Sequence, residues 1–459
     1  MNDFVSPFKF HNEIFDELYS QYIKIKNSNL DVPQQLNILF KWLCLTPEVT
    51  TYRVNVNKIT TEEVIAQLRE KIKITKPTDI YPVISTFPFF PELIIIHKWN
   101  ESVQLDLSKY SNEIIVDEKC GAAVLRGSHI FAPGIIGISH KPVKLEKVSV
   151  FADKTGNCKK GLIKEYKESE KVFLGNGILK QTRKELFGGS VGTVSGIGVY
   201  MTDVISHLPQ LNCTTMPQEW GLLQNLPSMI CSRILDPQPN ERILDMCAAP
   251  GNKTTHISSL MKNQGALIAL DISKSKIKKI EGICKELGCY NVKSFCYDST
   301  KAVCNDISKE SIENTPPFPR YSFDRILLDA PCSGMGQRPQ LHNRIKASCI
   351  RSYSSIQKKL FSAAVELLKP GGVLVYSTCT VTIAENEEIV SWALQKYPNL
   401  CLKHVRHKME LMGLKDYGAP GYVIDHLTED QCENLCRFGP QNDVIGFFIS
   451  CFVKNGIDK

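Results

Sequence analysis

A chain of 459 residues that is 43% hydrophobic is long enough for two or three cores, because a single core stops growing near roughly 250–300 residues. A formal net charge of +7 and a pI near 8.5 permit a polyanionic partner without requiring one. The 17 cysteines are odd in number, the opening MNDFVSPFKF has no signal-peptide core, and no run approaches the ~18–20 apolar residues of a membrane span, so secreted disulfide scaffolds and membrane proteins are excluded and a soluble, cytoplasmic chain is expected.

Residues 12–45 carry apolar positions at helical spacing, TYRVNVNK (51–58) alternates like a strand, and TTEEVIAQLREKI (60–72) is again helical. Residues 1–110 therefore read as an α/β amino-terminal part. From about Glu113 to Asp203 the texture changes to short strand-like runs, GAAVLRG, HIFAPGII, KVSVFAD and KVFLGNGIL, broken by glycine, proline and charge. Residues 111–205 are predicted as a small β-rich domain. It holds 14 Lys or Arg against 10 Asp or Glu between Glu113 and Asp203, so it is the plausible polyanion contact.

Strand and helix then alternate over residues 206–459: RILDMCAAP, a helix from Lys253, LIALD, a lysine-rich helix, SFCYD, RILLDAP, a helix at 353–368 and GVLVYSTC. This predicts a doubly wound, mostly parallel sheet. The last apolar run, Ile445 to Val453, has no crossover helix before it and is expected as an antiparallel edge strand.

ILDMCAAPGNKTTH (243–256) is an apolar strand entering a tight small-residue turn and a helix, an arrangement that lets backbone N–H groups approach a ligand. The turn comprises Cys247, Ala248, Ala249, Pro250, Gly251, Asn252 and Lys253. GNKTT is not a phosphate loop, since G-x-x-x-x-G-K-[ST] is absent. Asp245, Asp271, Asp298 and Asp329 each end a predicted strand at the carboxyl edge, where open α/β sheets bind ligands, and Asp271 is placed to accept from ribose hydroxyls. One such aspartate alone would be as well explained as a turn cap; four in register point to a site.

Cys332 in DAPCSG and Cys379 in YSTCT follow two of these strands, so both thiols can face one pocket. Most cysteines are inert packing, and none here has zinc-like spacing, so no metal is expected. This pair has a chemical reason. Carbon 5 of cytosine becomes nucleophilic only after a thiolate adds to carbon 6, and a second group must then help remove the carbon 5 proton. Asp329 could hold the base through ring nitrogen 3 and the exocyclic amine, and Lys253 is the cation placed to favour a thiolate.

These residues resemble the Sun-family, or Fmu-like, RNA cytosine-5 methyltransferases: LDMCAAPGNKTTH is similar to their cofactor motif, LLDAPCSGMG to their proline–cysteine motif and VYSTCTVTIAENEE to their threonine–cysteine motif. The resemblance covers about residues 220–455, with an RVN strand at Arg53–Asn55 and a QNLPS helix at Gln224–Ser228. It implies a Rossmann-like S-adenosylmethionine-dependent fold, with the cofactor held by the 247–253 turn, Asp271, Lys276, Asp298 and Asp329. It also implies that Cys379 is the nucleophile and that Cys332 assists product release.

The inserted segment, CGAAVLRGSHIFAPGI and NCKKG before KVFLGNG, looks like the PUA module of the sixth Nsun-type branch, which methylates the position-72 cytidine of certain tRNA acceptor stems. That resemblance implies contacts from Arg126, Lys159 and Lys160 to the CCA end and backbone. Phe131 stands where relatives can carry tyrosine, which preserves stacking. The expected partner is tRNA, with messenger RNA as a further substrate and a monomeric enzyme. Asn252 departs from the family's usual second glycine, and RPQLHNRIKASC lacks a tryptophan often found there.

Two other classes remain open. A DNA cytosine methyltransferase shares the chemistry but typically places its nucleophile in the proline–cysteine motif. A non-catalytic RNA-binding scaffold is favoured by Asn252 and opposed by both cysteines and all four aspartates.

Overall fold

A computed structural model describes residues 7–10, 12–26, 28–75, 80–189, 194–211, 216–304, 315–343 and 345–456. The amino-terminal part begins with helices α1 (Asn12–Tyr22) and α2 (Val32–Cys44). Asp31 caps α2 by accepting from the Gln34 N–H. Strand β1 (Val49–Val54), helix α3 (Thr61–Thr75) and strands β2 (Ile84–Phe87) and β3 (Phe90–His97) follow. β1 and β3 pair antiparallel, β2 flanks β3, and a fourth strand returning at Gly221–Leu223 pairs with the other side of β1.

Between β3 and that returning strand lies a six-stranded sheet built from β4 (Glu113–Val116), β5 (Ile130–Phe131), β6 (Ile135–Ile138), β7 (Lys147–Asp153), β8 (Lys171–Leu179) and β9 (Ile197–Val204). Helices α4 (Glu118–Leu125) and α5 (Arg183–Phe187) accompany it. The expected strand at GAAVLRG is corrected here: residues 118–125 are helix α4. Asp117 caps it by accepting from the Cys120 N–H, and Val124 and Leu125 are buried on one face. This β unit has its own core around Val150, Leu174 and Val199, and Leu341, from the distant segment after Cys332, is buried in it. Burying a leucine side chain stabilises by about 2 kcal/mol.

The returning strand is β10 (Gly221–Leu223), and α6 (Leu226–Leu235) follows it. The largest sheet then forms from β11 (Arg242–Asp245), β12 (Ala266–Asp271), β13 (Val292–Cys296), β14 (Phe323–Asp329) and β15 (Leu368–Thr378), all parallel, with α7 (Asn252–Leu260), α8 (Lys274–Leu287) and α9 (Ala347–Leu367) between them. α9 starts six residues before the expected 353, because Lys346 gives it no side-chain cap to signal its start. Then come α10 (Glu387–Lys396), β16 (Leu400–Lys403), α11 (Val405–Leu411), α12 (Glu429–Glu433), β17 (Cys436–Phe438) and β18 (Phe447–Lys454).

β18 is antiparallel to β15, as its sequence setting implies, but it is not an edge strand. β16 pairs on its far side, giving the order β13-β12-β11-β14-β15-β18-β16. Four residues of β16 are too few to show a period of two. Helices cover both faces of this sheet over two large cores, so the doubly wound Rossmann-like class holds.

Candidate active site

The strands of the large sheet deliver their carboxyl ends to one edge, and the predicted residues meet there. β11 runs into the turn at residues 247–251, where Ala248 N–H donates to Leu270 O. Gly251 has φ +110°, and a Cβ there would stand 2.7 Å from the Ile283 side chain, so glycine is required both by conformation and by the packing of α8. Asn252 is the first residue of α7 and needs no such freedom. The departure from a second glycine therefore leaves the turn intact.

Arg53 of β1 secures this turn from outside. It donates to Gln224 Oε1, to the backbone oxygen of Asn252 and to Thr255 Oγ1. Burial lowers its pKa to about 10, with nearby groups opposing the shift. Sequence reading noted Arg53 only as part of a family strand.

The carboxylates behave differently from one another. Asp245 is buried, accepts from Thr254 Oγ1 at 2.7 Å and has no partner for its other oxygen. Burial is the main cause that raises its pKa to about 7. Asp271 is 7% exposed, accepts from the Ser273 N–H and has Lys276 Nζ 3.7 Å away. Asp298 lies two residues beyond β13 and accepts from Thr300 N and Oγ1, so its carboxylate also caps a turn. A glycine-shaped turn, an unpartnered buried carboxylate oxygen and Asp271 at the next strand end form a cradle that suits the amino-acid and ribose parts of S-adenosylmethionine.

Asp329, at the end of β14, accepts from Ser377 Oγ at 2.7 Å and pairs with Lys253 Nζ at 2.6 Å. Burial opposes the Lys253 charge, but Asp329 and the neighbouring thiols hold its pKa above the ordinary value. Beside this pair, Cys332 Sγ and Cys379 Sγ are 3.4 Å apart. The two thiols are unequal. The contact with Cys332 lowers the Cys379 pKa, aided by Gln337 and Lys253 against burial and the charge of Asp329. The same contact, burial and the charge of Glu385 push Cys332 up. Of the two, Cys379 is the one whose surroundings favour the thiolate.

Glu385 joins the two cysteine loops. Fully buried, it accepts from Ser333 N (2.9 Å), Ser333 Oγ (2.6 Å), Thr382 Oγ1 (2.8 Å) and Gln357 Nε2 (3.0 Å). Gly336 N–H adds a bond to the Cys379 carbonyl. Glu385 and Gln337 were missed in sequence. The glutamate lies in the quoted ENEE run, and a buried carboxylate with only neutral donors leaves no local pattern.

The residues of the β unit are presented differently. Phe131 is 41% exposed and Lys159 and Lys160 are exposed. Asp153 shapes their loop by accepting from Thr155 N, Gly156 N and Cys158 N, each at 2.9 Å, and Gly161 N–H ties it to β6 at Ile136 O. Arg126 is not a free surface cation. Its guanidinium donates to Arg338 O at 2.9 Å and lines a cleft of about 700 Å³ with Gly334, Gln337, His342 and Tyr353. That cleft runs from the β unit to the loop after Cys332. Among the described residues no His, Cys, Asp or Glu cluster could hold a metal, and no helix is long and apolar enough to cross a membrane.

Comparison with known proteins identifies the family and the fold. The profile of the 16S rRNA methyltransferase RsmB/F family matches residues 232–453. The chain is 40% identical to the Mus musculus tRNA (cytosine(72)-C(5))-methyltransferase NSUN6, over 93% of this chain and 92% of that one. To its Homo sapiens counterpart it is 41% identical, with 92% of each covered. Among solved structures, NSun6 from Pyrococcus horikoshii with SFG superposes with a TM-score of 0.68 at 27% identity, covering 96% of this chain and 98% of that one.

Proposed function

This chain belongs to the RsmB/F family of S-adenosylmethionine-dependent RNA cytosine-5 methyltransferases, and within it we propose that the substrate is tRNA, methylated at the position-72 cytidine beside the CCA end. The observation that carries the reading is the unequal thiol pair, 3.4 Å apart, beside the Asp329–Lys253 ion pair at the strand ends.

S-adenosylmethionine supplies an electrophilic methyl group. The chain's own residues prepare the base. Cys379, as thiolate, bonds to carbon 6 and pushes an electron pair toward carbon 5. Asp329, ion-paired with Lys253, has no proton to offer and so accepts from the exocyclic amine alone; the contact to ring nitrogen 3 expected of it falls instead to Lys253 Nζ, a proton donor as charge gathers there. Once the Cys379 sulfur is a neutral thioether, the negative charge that kept Cys332 protonated is gone. With carbon 5 methylated, Cys332 can then release its own proton to solvent and, as thiolate, take the carbon 5 proton, and the electron pair of that C–H bond reforms the 5,6 double bond and expels Cys379 as thiolate.

The 111–205 segment acts in this reading as a PUA-type module. Phe131 stacks on the exposed end, Lys159 and Lys160 meet phosphates, and Arg126 lines the cleft that reaches Ser333 and Gly334, next to Cys332. The same site serves messenger RNA cytidines that offer a comparable end, and the enzyme works as a cytoplasmic monomer. The test is labelled methyl transfer to three tRNA transcripts: unaltered, with uridine at position 72, and without CCA. Transfer to the first alone supports the reading; equal transfer to all three overturns it.

A further inference from the structure

The segment from Cys332 to Asn343 belongs to the catalytic part of the chain, yet its far end is held by the β unit. At its start Ser333 binds Glu385 and Gly336 N–H donates to Cys379 O. In its middle Arg126 donates to Arg338 O, and Gln340 N–H donates to Leu43 O. At its end the His342 ring lies 2.8 Å from Lys154 O, and Leu341, 2% exposed, is buried among the β unit's core residues. Gly121 of α4 makes room for it: a Cβ there would stand 3.0 Å from Leu341 Cδ1 and 2.6 Å from Ala152 Cβ. One loop thus carries Cys332, touches Cys379 through its backbone and ends inside another unit's core.

We propose that Leu341 is a positioning residue for methyl transfer, whose seating in the β-unit core holds the Cys332 loop against Cys379. The β unit then does more than meet RNA. Its packed core is a rigid wall, and close-packed interiors transmit displacement rather than absorb it. Arg126, at the end of α4, donates to the backbone of that loop at Arg338 and lines the cleft, so an RNA end bound in the cleft presses on the segment that aligns the thiols. The inference rests on Cys379 and Cys332 being the reacting thiols.

The test uses the full chain with Leu341→Ala, and with Leu341→Met as the volume-conserving variant. Cofactor binding, centred on the ends of β11 and β12 and not on Leu341, reports whether each variant is folded. Leu341→Ala should lower kcat roughly ten- to a hundredfold, as a small misplacement of reacting groups does, with KM for tRNA within about twofold. Amide exchange over 333–343 should quicken, and Leu341→Met should restore both. Wild-type kcat in Leu341→Ala, or unchanged exchange in that loop, overturns the proposal. If Leu341→Ala fails to bind cofactor, Leu341→Val is judged by the same criteria. Full turnover by Cys379→Ala would defeat the thiol reading instead, and the exchange result is independent of it.

Discussion

Arg53, on a strand of the amino-terminal sheet, donates to the backbone carbonyl of Asn252, the residue that opens α7, 199 positions later in the chain. The same guanidinium holds Gln224 and Thr255, so one side chain fixes three groups around the 247–253 turn, the cofactor site of the proposed function. Arg53→Ala takes the guanidinium donor from Gln224 Oε1 and Thr255 Oγ1, while Asn252 O keeps the bond from Thr255 Oγ1, at about 1–3 kcal/mol for each buried group left without a partner. Cofactor affinity should fall about tenfold or more, checked by calorimetric titration. Arg53→Lys should recover little, since an ammonium cannot span the three acceptors.

The thiol pair makes a prediction that activity alone cannot give. Cys379→Ala should abolish both methylation and the covalent protein–RNA bond. Cys332→Ala should still form that bond through Cys379 and release it slowly. A denaturing gel with cytidine-containing RNA and S-adenosylmethionine should show a retarded band for Cys332→Ala and none for Cys379→Ala. The opposite pattern would exchange their roles.

Glu92 of the amino-terminal sheet accepts from Arg233 and lies 2.9 Å from His256 Nε2 on α7. Burial opposes the Glu92 charge, but His256 and Arg233 hold its pKa down at about 2. Burial lowers His256 to about 4. Both native pKa values lie below those of the unfolded chain, so unfolding takes up protons. The His256 contribution is whole above pH 6.5 and is lost as pH falls from there toward 4, costing up to ~3 kcal/mol. Glu92 adds to the loss between about 4.5 and 2. Thermal melts should show the melting temperature falling on acidification below pH 6.5, and a folded His256→Asn variant should flatten that slope.

Lys159 and Lys160 stand on a loop ordered by Asp153 and are both exposed. If they contact phosphates, replacing both by alanine should weaken tRNA binding and flatten the plot of log affinity against log salt by roughly 1–2. Cofactor affinity should not change. Titrations between low and physiological salt check this, and an unchanged slope would return the pair to a solvated turn.

The doubly wound sheet was legible because its strands are apolar runs closed by aspartate and separated by helical periods. The turn at 247–253 and both cysteine motifs were legible as local strings. Short stretches fared worse. GAAVLRG is too small and uniformly apolar for its period to separate helix from strand, and the deciding signal was Asp117 just before it. β18 read correctly as antiparallel and wrongly as an edge, because the four residues of β16 carry no pattern of their own. Nothing local in sequence announces Arg53 with Asn252, Glu92 with His256, or Leu341 in the β-unit core. These depend on side chains brought together across some 140 to 220 positions.

The β unit leaves the amino-terminal sheet after β3 and rejoins it at β10, and both of those strands flank β1. His97 sits level with Val49 and Gly221 level with Val54, so the two points of attachment are separated by two strand spacings across the sheet and five residues along it, roughly 20 Å in all. The unit therefore hangs from two anchors on one platform, like a bridge deck rather than a pendant, and cannot swivel about a single linker. Cutting it out would require a splice of at least about six extended residues to rejoin the strands. Such a shortened chain would also expose Leu341 to water, so grafting in the equivalent unit of a relative calls for matching the socket around Gly121 as well as the two splice points.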